Sequence, residues 1–264
     1  MDMNVFRFKR FNVANQRSAM KVNTDGVLRG AAMTILPDDS LLLDIGTGTG
    51  TIAMMAAQRL ADMGVSTVRI DAIDIDEPSA SEAAANFRNS PWADSLTAHN
   101  LSLDDYAADF AETYDLIFSN PPYFEDSLTA PDIRKSTARH TSDGLSYRDI
   151  FEFASRSLSE SGRVSLVLPS DQESAVTRYA RMCGLHLFRI IRIRTVPRKA
   201  PARMIVEFSR TRPDDVEDSI LTIQNEGQYT DQYLSLTKEF YLFAYVIFFP
   251  KVCRLVAFRV LRFP

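Results

Sequence analysis

Apolar residues recur along this chain in short runs rather than in one block. The runs at 41–45, 68–73, 96–99, 114–119 and 164–168 are each four to six residues long, and all but 96–99 are rich in Leu, Ile or Val. That length and character suit strands buried on both faces. Helical patterns lie between them, clearest after residue 50, where Ile52, Ala56, Leu60 and Met63 fall on one face of a 3.6-residue period. Strand and helix in alternation predict parallel pairing within an α/β, doubly wound unit. Two further runs, 187–193 and 204–209, are separated only by the Pro/Lys/Arg-rich residues 195–202. They read as an antiparallel hairpin that closes a seven-stranded, mostly parallel sheet. Residues 1–40 are expected to form an arm or lid, and residues 41–242 the domain. Residues 243–264 form an apolar, basic tail whose unbroken apolar run, 241–249, is too short to span a bilayer. We read this tail as an adventitious extension with no part in catalysis. The segment 124–147 is long, polar and rich in turn formers, which suits a substrate-gating loop.

Composition narrows this picture only slightly. A length of 264 residues with 45% hydrophobic content is enough for one core without covalent staples. Two cysteines, Cys183 and Cys253, make neither a disulfide framework nor a zinc spacing, and residues 1–4 do not begin a signal peptide, so a cytoplasmic protein without metal is expected. The net charge of −4 opposes a nucleic-acid partner in sum, but its distribution does not. Arg189, Arg192, Arg194, Arg198, Lys199 and Arg203 follow one another with no acid between them, and Arg7, Lys9, Arg10, Arg17 and Lys21 make a second basic zone. Each zone suits a phosphate-binding face, although a solvated face is the plainer reading of either alone. Phe6, Phe8 and Phe11 alternate within the second zone, as in a binding arm or a half-buried strand.

Chemistry enters at the ends of the strands. The run at 41–45 leads into Asp44-Ile45-Gly46-Thr47-Gly48-Thr49-Gly50 and then into the helical pattern. Strand, glycine turn and helix in that order bring backbone close to a ligand at a helix N-terminus. Asp44 decides which ligand, because a carboxylate there repels phosphate and attracts an amino group or a sulfonium. The next strand ends in Asp74, placed to accept from both hydroxyls of a ribose, while Asp76 reads as the N-cap of a helix opened by Pro78. An adenosine, a cationic centre and no phosphate describe S-adenosylmethionine.

Directly after the run at 114–119 comes Asn120-Pro121-Pro122-Tyr123. An amide oxygen, a proline-fixed carbonyl and an aromatic face at one spot suit a planar substrate with an exocyclic amine. The oxygens of Asn120 and Pro121 would accept its two N–H groups and the ring of Tyr123 would stack on it.

These motifs in this order resemble the class I S-adenosylmethionine-dependent methyltransferases that modify exocyclic amines. Further segments, Phe6-Arg7-Phe8-Lys9-Arg10-Phe11, Lys21-Val22-Asn23-Thr24-Asp25-Gly26-Val27-Leu28, Ala57-Gln58-Arg59, Ser90-Pro91-Trp92 and Ala138-Arg139-His140, resemble the bacterial family that methylates N6 of adenine 37 in a valine tRNA. The resemblance spans residues 6–242 and implies a Rossmann-like class I fold, S-adenosylmethionine as cofactor and tRNA as partner. Beside it we expect no membrane, no metal and a monomer. It places Lys21 and Asp25 at the methionine end of the cofactor, beside Asp44, Gly46, Gly48, Gly50 and Asp74. Asn100 stands where related enzymes often put an acid to read the adenine amine. Pro122 and Phe124 would line the base pocket, and Arg139, His140, Arg198, Lys199 and Arg203 would meet RNA. Two other readings stay open: methylation of a different planar amine, such as a protein glutamine, a DNA adenine or an rRNA base, and a non-catalytic RNA-binding protein that keeps the fold. The glutamine enzymes carry a helical domain before the glycine motif, whereas 43 residues precede Asp44 here.

Overall fold

The computed structural model describes residues 5–18, 21–109, 112–121 and 144–242. Pro122, Tyr123, Phe124, Arg139, His140, most of the 124–147 segment and the 243–264 tail lie outside the described residues. The chain opens with a small antiparallel hairpin, β1 (Val5–Arg7) and β2 (Asn12–Ala14), followed by helix α1 (Thr24–Ala32). Phe8 and Phe11 of this region are buried and Phe8 bridges to Tyr241, so the alternating phenylalanines are core residues rather than a stacking platform for bases. Helix α1 starts where the Asn23 side chain accepts the Gly26 amide at 2.8 Å.

The rest of the chain alternates as its hydropathy predicts. Strand β3 (Leu41–Ile45), helix α2 (Thr51–Asp62), strand β4 (Arg69–Ile73), helix α3 (Glu77–Arg88), strand β5 (Leu96–His99) and helix α4 (Leu103–Asp109) come first. Strand β6 (Tyr114–Ser119), helix α5 (Tyr147–Ser157), strand β7 (Leu158–Pro169), helix α6 (Glu173–Met182), strand β8 (His186–Arg194) and strand β9 (Arg203–Ser209) follow. Asp76 does cap α3, accepting the Ser79 amide at 3.0 Å. After β9 come β10 (Glu217–Thr222), a two-residue-stranded hairpin of β11 (Gln224–Asn225) and β12 (Gln228–Tyr229), and helix α7 (Asp231–Thr237).

The main sheet runs β10-β8-β9-β7-β6-β3-β4-β5. Strand β9 lies antiparallel between β7 and β8, which is the expected hairpin, and β10 adds an eighth strand parallel to β8. That edge strand carries little apolar signal, because side-chain pairs join it to the sheet. Arg189 bonds Glu217 at 3.0 Å and Arg192 bonds Asp218 at 3.1 Å. Alternate residues of each central strand face opposite layers. Leu42, Ile70, Leu116 and Phe118 pack with α1 and α2, while Leu43, Ile73 and Ile117 pack with α5 and α6. Helices α1 and α2 meet closely at Gly30, where an added Cβ would stand 2.7 Å from the Met55 sulfur. The N-terminal residues are therefore fastened to the layer that supports the glycine loop.

Candidate active site

Register alone brings the sequence motifs together. Ile45 is paired with Ser119 on one side and Ile73 on the other, and Ile73 is paired with His99. Gly46, Asn120, Asp74 and Asn100 are each the next residue beyond those rungs, so they stand side by side across β6, β3, β4 and β5. At about 4.8 Å per strand, Asn120 and Asp74 are roughly 10 Å apart. This is the carboxyl edge, where open α/β sheets bind ligands. The Ser119 hydroxyl donates to the Ile45 carbonyl at 2.7 Å and fixes the height of β6 against β3 just before Asn120. Asn120 and Pro121 are both buried.

The glycine loop is built for closeness rather than for anions. Gly46, Gly48 and Gly50 adopt φ of 72°, 58° and 76°, a region that side chains disfavour. Gly50 has a second reason: a Cβ there would fall 2.4 Å from the Phe87 ring of α3. The loop amides are largely engaged within the protein. Gly46 and Thr47 donate to the Ile73 carbonyl at 2.9 and 3.0 Å, Gly48 to Asp74 at 2.8 Å and Gly50 to the Thr47 carbonyl at 3.0 Å. A phosphate nest needs such groups unengaged, so the loop fits a ligand without phosphate.

Asp74 accepts from Gly48 through one oxygen and from the Asp76 amide at 2.9 Å through the other. Burial pushes its pKa up, against the pull of those two amides. A carboxylate has about four lone-pair sites, so two remain for ribose hydroxyls. Asp44 is only 1% exposed. Burial raises its pKa to about 6, while Arg29 and the Thr47 hydroxyl, which donates to it at 2.8 Å, lower it and Asp74 raises it. Its other oxygen lies 3.8 Å from the Arg29 guanidinium, and the backbone amide of Ala53 in α2 also draws the pKa down. A buried acceptor of that kind, beside a ribose-type carboxylate and an anion-averse loop, fits the cationic amino-acid end and the nucleoside end of S-adenosylmethionine.

The remaining candidates take varied places. The Asn100 amide nitrogen donates to the carbonyls of Asp74 and Ile75, both at 3.0 Å, which leaves its oxygen to accept. Lys21 donates to the carbonyls of Asn15 and Gln16 at 2.9 and 2.8 Å, and so supports the chain entering α1. Asp25 pairs with Arg203 at 3.4 Å, which joins a cofactor candidate to an RNA candidate at the same edge. Arg198 and Lys199 are exposed in the turn between β8 and β9. Arg189 and Arg192 of the same basic zone are engaged by Glu207, Glu217, Glu173 and Asp218. In the N-terminal zone Lys9 donates to the Lys238 carbonyl and Arg10 pairs with Asp62.

Sequence reasoning did not single out several supports. Glu82 of α3 accepts the amides of Gln16, Arg17 and Ser18 at 2.7, 3.0 and 2.9 Å. Burial alone would raise its pKa, but those three amides outweigh it and hold the carboxyl below its usual range. Asn86 grips both backbone groups of Ala14, at 2.8 and 3.0 Å, and donates to the Thr49 carbonyl at 2.9 Å, binding the N-terminal strap to the glycine loop. Arg29, wholly buried, lies over the Phe118 ring at 5.4 Å. An acid or amide at mid-helix carries no local signal for such roles.

Comparison with known proteins agrees with this geometry. The methyltransferase small domain family matches residues 31–177. The fold is similar to the crystal structure of a predicted O-methyltransferase from Agrobacterium tumefaciens, with a TM-score of 0.57 and 16% identity over 81% of this chain and 95% of that one. Fold and site thus define a class I methyltransferase. Among relatives, the tRNA1(Val) (adenine(37)-N6)-methyltransferase of Parabacteroides distasonis is 40% identical over 90% of this chain and 97% of its own length. The protein of the same name from Flavobacterium psychrophilum is 37% identical over 90% of this chain and 99% of its own. The chain belongs to the methyltransferase small domain family and, within it, to the family of these tRNA1(Val) (adenine(37)-N6)-methyltransferases.

Proposed function

We propose that this protein methylates N6 of adenine 37 in tRNA1(Val), acting in the cytoplasm as a monomer and without a metal. The observation that carries this reading is the adjacency of Asn120-Pro121 to the Gly46 and Asp74 edge, fixed by the Ile45 rung. An acceptor pair for an amine there stands one strand from the methyl-donor loop. S-adenosylmethionine, when bound, supplies an electrophilic methyl on a sulfonium. Asp74 would hold the ribose and Asp44 the cationic amino-acid end. The Asn120 side-chain oxygen and the Pro121 carbonyl would each accept one hydrogen of the adenine amine. That draws the nitrogen towards tetrahedral geometry and aims its lone pair, otherwise delocalised into the ring. Tyr123 would stack on the extruded base. No strong general base is required, since the proton can leave to water after transfer. Arg198 and Lys199 would meet RNA phosphates, with Arg203, which pairs with Asp25, beside them. Mass spectrometry of tRNA nucleosides from a deletion strain tests the reading: N6-methyladenosine should vanish from position 37 of tRNA1(Val) and return on complementation. Its persistence in the deletion strain would refute the assignment.

A further inference from the structure

We infer that Arg29 is a positioning residue for this site, holding Asp44 ionised and at a fixed height beside the strand that leads to Asn120. The inference rests on the S-adenosylmethionine reading of the loop. Asp44 and Phe118 are direct register partners on neighbouring parallel strands, so their side chains share one face of the sheet. Arg29 lies across that pair, 3.8 Å from the carboxylate and 5.4 Å from the ring centroid, with no exposed surface. Two residues beyond Phe118 is Asn120, and two beyond Asp44 is Gly46, so a single guanidinium spans the rung just short of both functional loops. Helix α1 can place it there because Gly30 lets the helix sit close on α2, where an added Cβ would stand 2.7 Å from the Met55 sulfur. A buried carboxylate without a cation beside it takes up a proton, and a protonated Asp44 no longer attracts an ammonium group.

The charged groups facing Asp44 among the described residues are Arg29 from α1 and Asp74 from the end of β4. The backbone amide of Ala53 in α2 and the Thr47 hydroxyl also act on it, and Phe118 and Ala72 are its register partners on the neighbouring strands. Two neutral replacements and one charged replacement separate this role from mere packing, with S-adenosylhomocysteine affinity measured by calorimetry from pH 5 to pH 8.5. Wild-type affinity should fall as pH drops through about 6. Arg29→Met should move that limb to higher pH by about one unit or more, since an opposite charge at this range lowers a carboxyl by about one to three units. Arg29→Lys should keep the limb within about half a unit of wild type. Asp44→Asn should remove its part of the limb in either background, leaving only what Asp74 contributes. Where Arg29→Met does not fold by circular dichroism, Arg29→Gln is titrated against the same criteria. A folded neutral variant whose limb stays in place, or whose affinity drops by one factor at every pH, overturns the role of Arg29, as does a lysine variant displaced as far as the neutral one. Failure of the wild type to bind S-adenosylhomocysteine at any pH would instead strike the cofactor reading itself.

Discussion

Replacing Asp74 tests the cofactor site most directly. Its two oxygens each accept one backbone amide, Gly48 at 2.8 Å and Asp76 at 2.9 Å, which orients the carboxylate and leaves a lone pair on each for the ribose hydroxyls. Asp74→Ala removes both ribose bonds. Hydrogen bonds to a charged acceptor are worth about 1.5–3 kcal/mol each, and part of that is recovered when water reaches the new space, so we expect a net loss of about 1.5–3 kcal/mol. This corresponds to roughly 10- to 150-fold weaker binding of S-adenosylmethionine. Asp74→Asn should do no better. Its NH2 group would have to face either the Gly48 or the Asp76 amide, donor against donor, and leaving one such group unsatisfied costs about 1–3 kcal/mol. Isothermal titration of S-adenosylmethionine and S-adenosylhomocysteine into each variant measures the loss, with urea unfolding of the free protein to establish that the fold is intact. Affinity of a folded Asp74→Ala protein within about twofold of wild type would remove Asp74 from the site. Full recovery in Asp74→Asn would mean that charge and acceptor geometry are not what the ribose requires.

Asn120→Ala should abolish most methyl transfer while cofactor affinity stays within about threefold, a difference below ~0.7 kcal/mol; a near-normal single-turnover rate would sink the proposed role of the amide. Gly50→Ala combines a left-handed φ of 76° with a Cβ 2.4 Å from Phe87, so it should destabilise the fold by about 2–5 kcal/mol in urea titration. Adding Phe87→Leu should restore part of that loss, and a neutral Gly50→Ala would show that the α3 contact is looser than drawn. Arg198→Ala with Lys199→Ala should flatten the log–log salt dependence of tRNA binding by about one to two units without altering S-adenosylmethionine affinity. An unchanged slope would make the turn at 195–202 a solvated face.

The sequence was legible where structure follows from local pattern. Five short strand-like runs alternating with helices required parallel pairing, and the short link at 195–202 allowed only an antiparallel return. Glycines at Gly46, Gly48 and Gly50 carried their own reason, because each sits at positive φ. What stayed hidden depends on distant partners. Strand β10 has alternation too weak to read, since Glu217 and Asp218 find their arginines 28 and 26 residues away. Glu82 and Asn86 look like ordinary polar positions on a helix until the strap at residues 14–18 is laid across them. Arg29 sits within an otherwise small and apolar stretch, Gly26-Val27-Leu28-Arg29-Gly30-Ala31-Ala32, and its meaning appears only when β3 and β6 are paired beneath it.

Charge shows the same limit more sharply. Counting cations from Arg189 to Arg203 gives six and invites a broad phosphate-binding strip. In the fold, Arg189 reaches the Ala32 carbonyl at 2.7 Å as well as Glu207 and Glu217, and Arg192 is held by Glu173 and Asp218. Those two fasten helices and strands to one another, and their charge is already balanced by carboxylates. Arg194 turns to Thr222 at 2.8 Å and to the Pro197 carbonyl at 3.1 Å. Arg203 pairs with Asp25 at the start of α1. Only Arg198 and Lys199 stand exposed at the tip. Counterion release follows the cations that reach phosphate rather than those in the sequence, so this turn can contribute a slope near two but not near six. A chain of net charge −4 can therefore hold an anionic RNA with a small contact, provided the cations it does expose lie on the edge that carries Asn120.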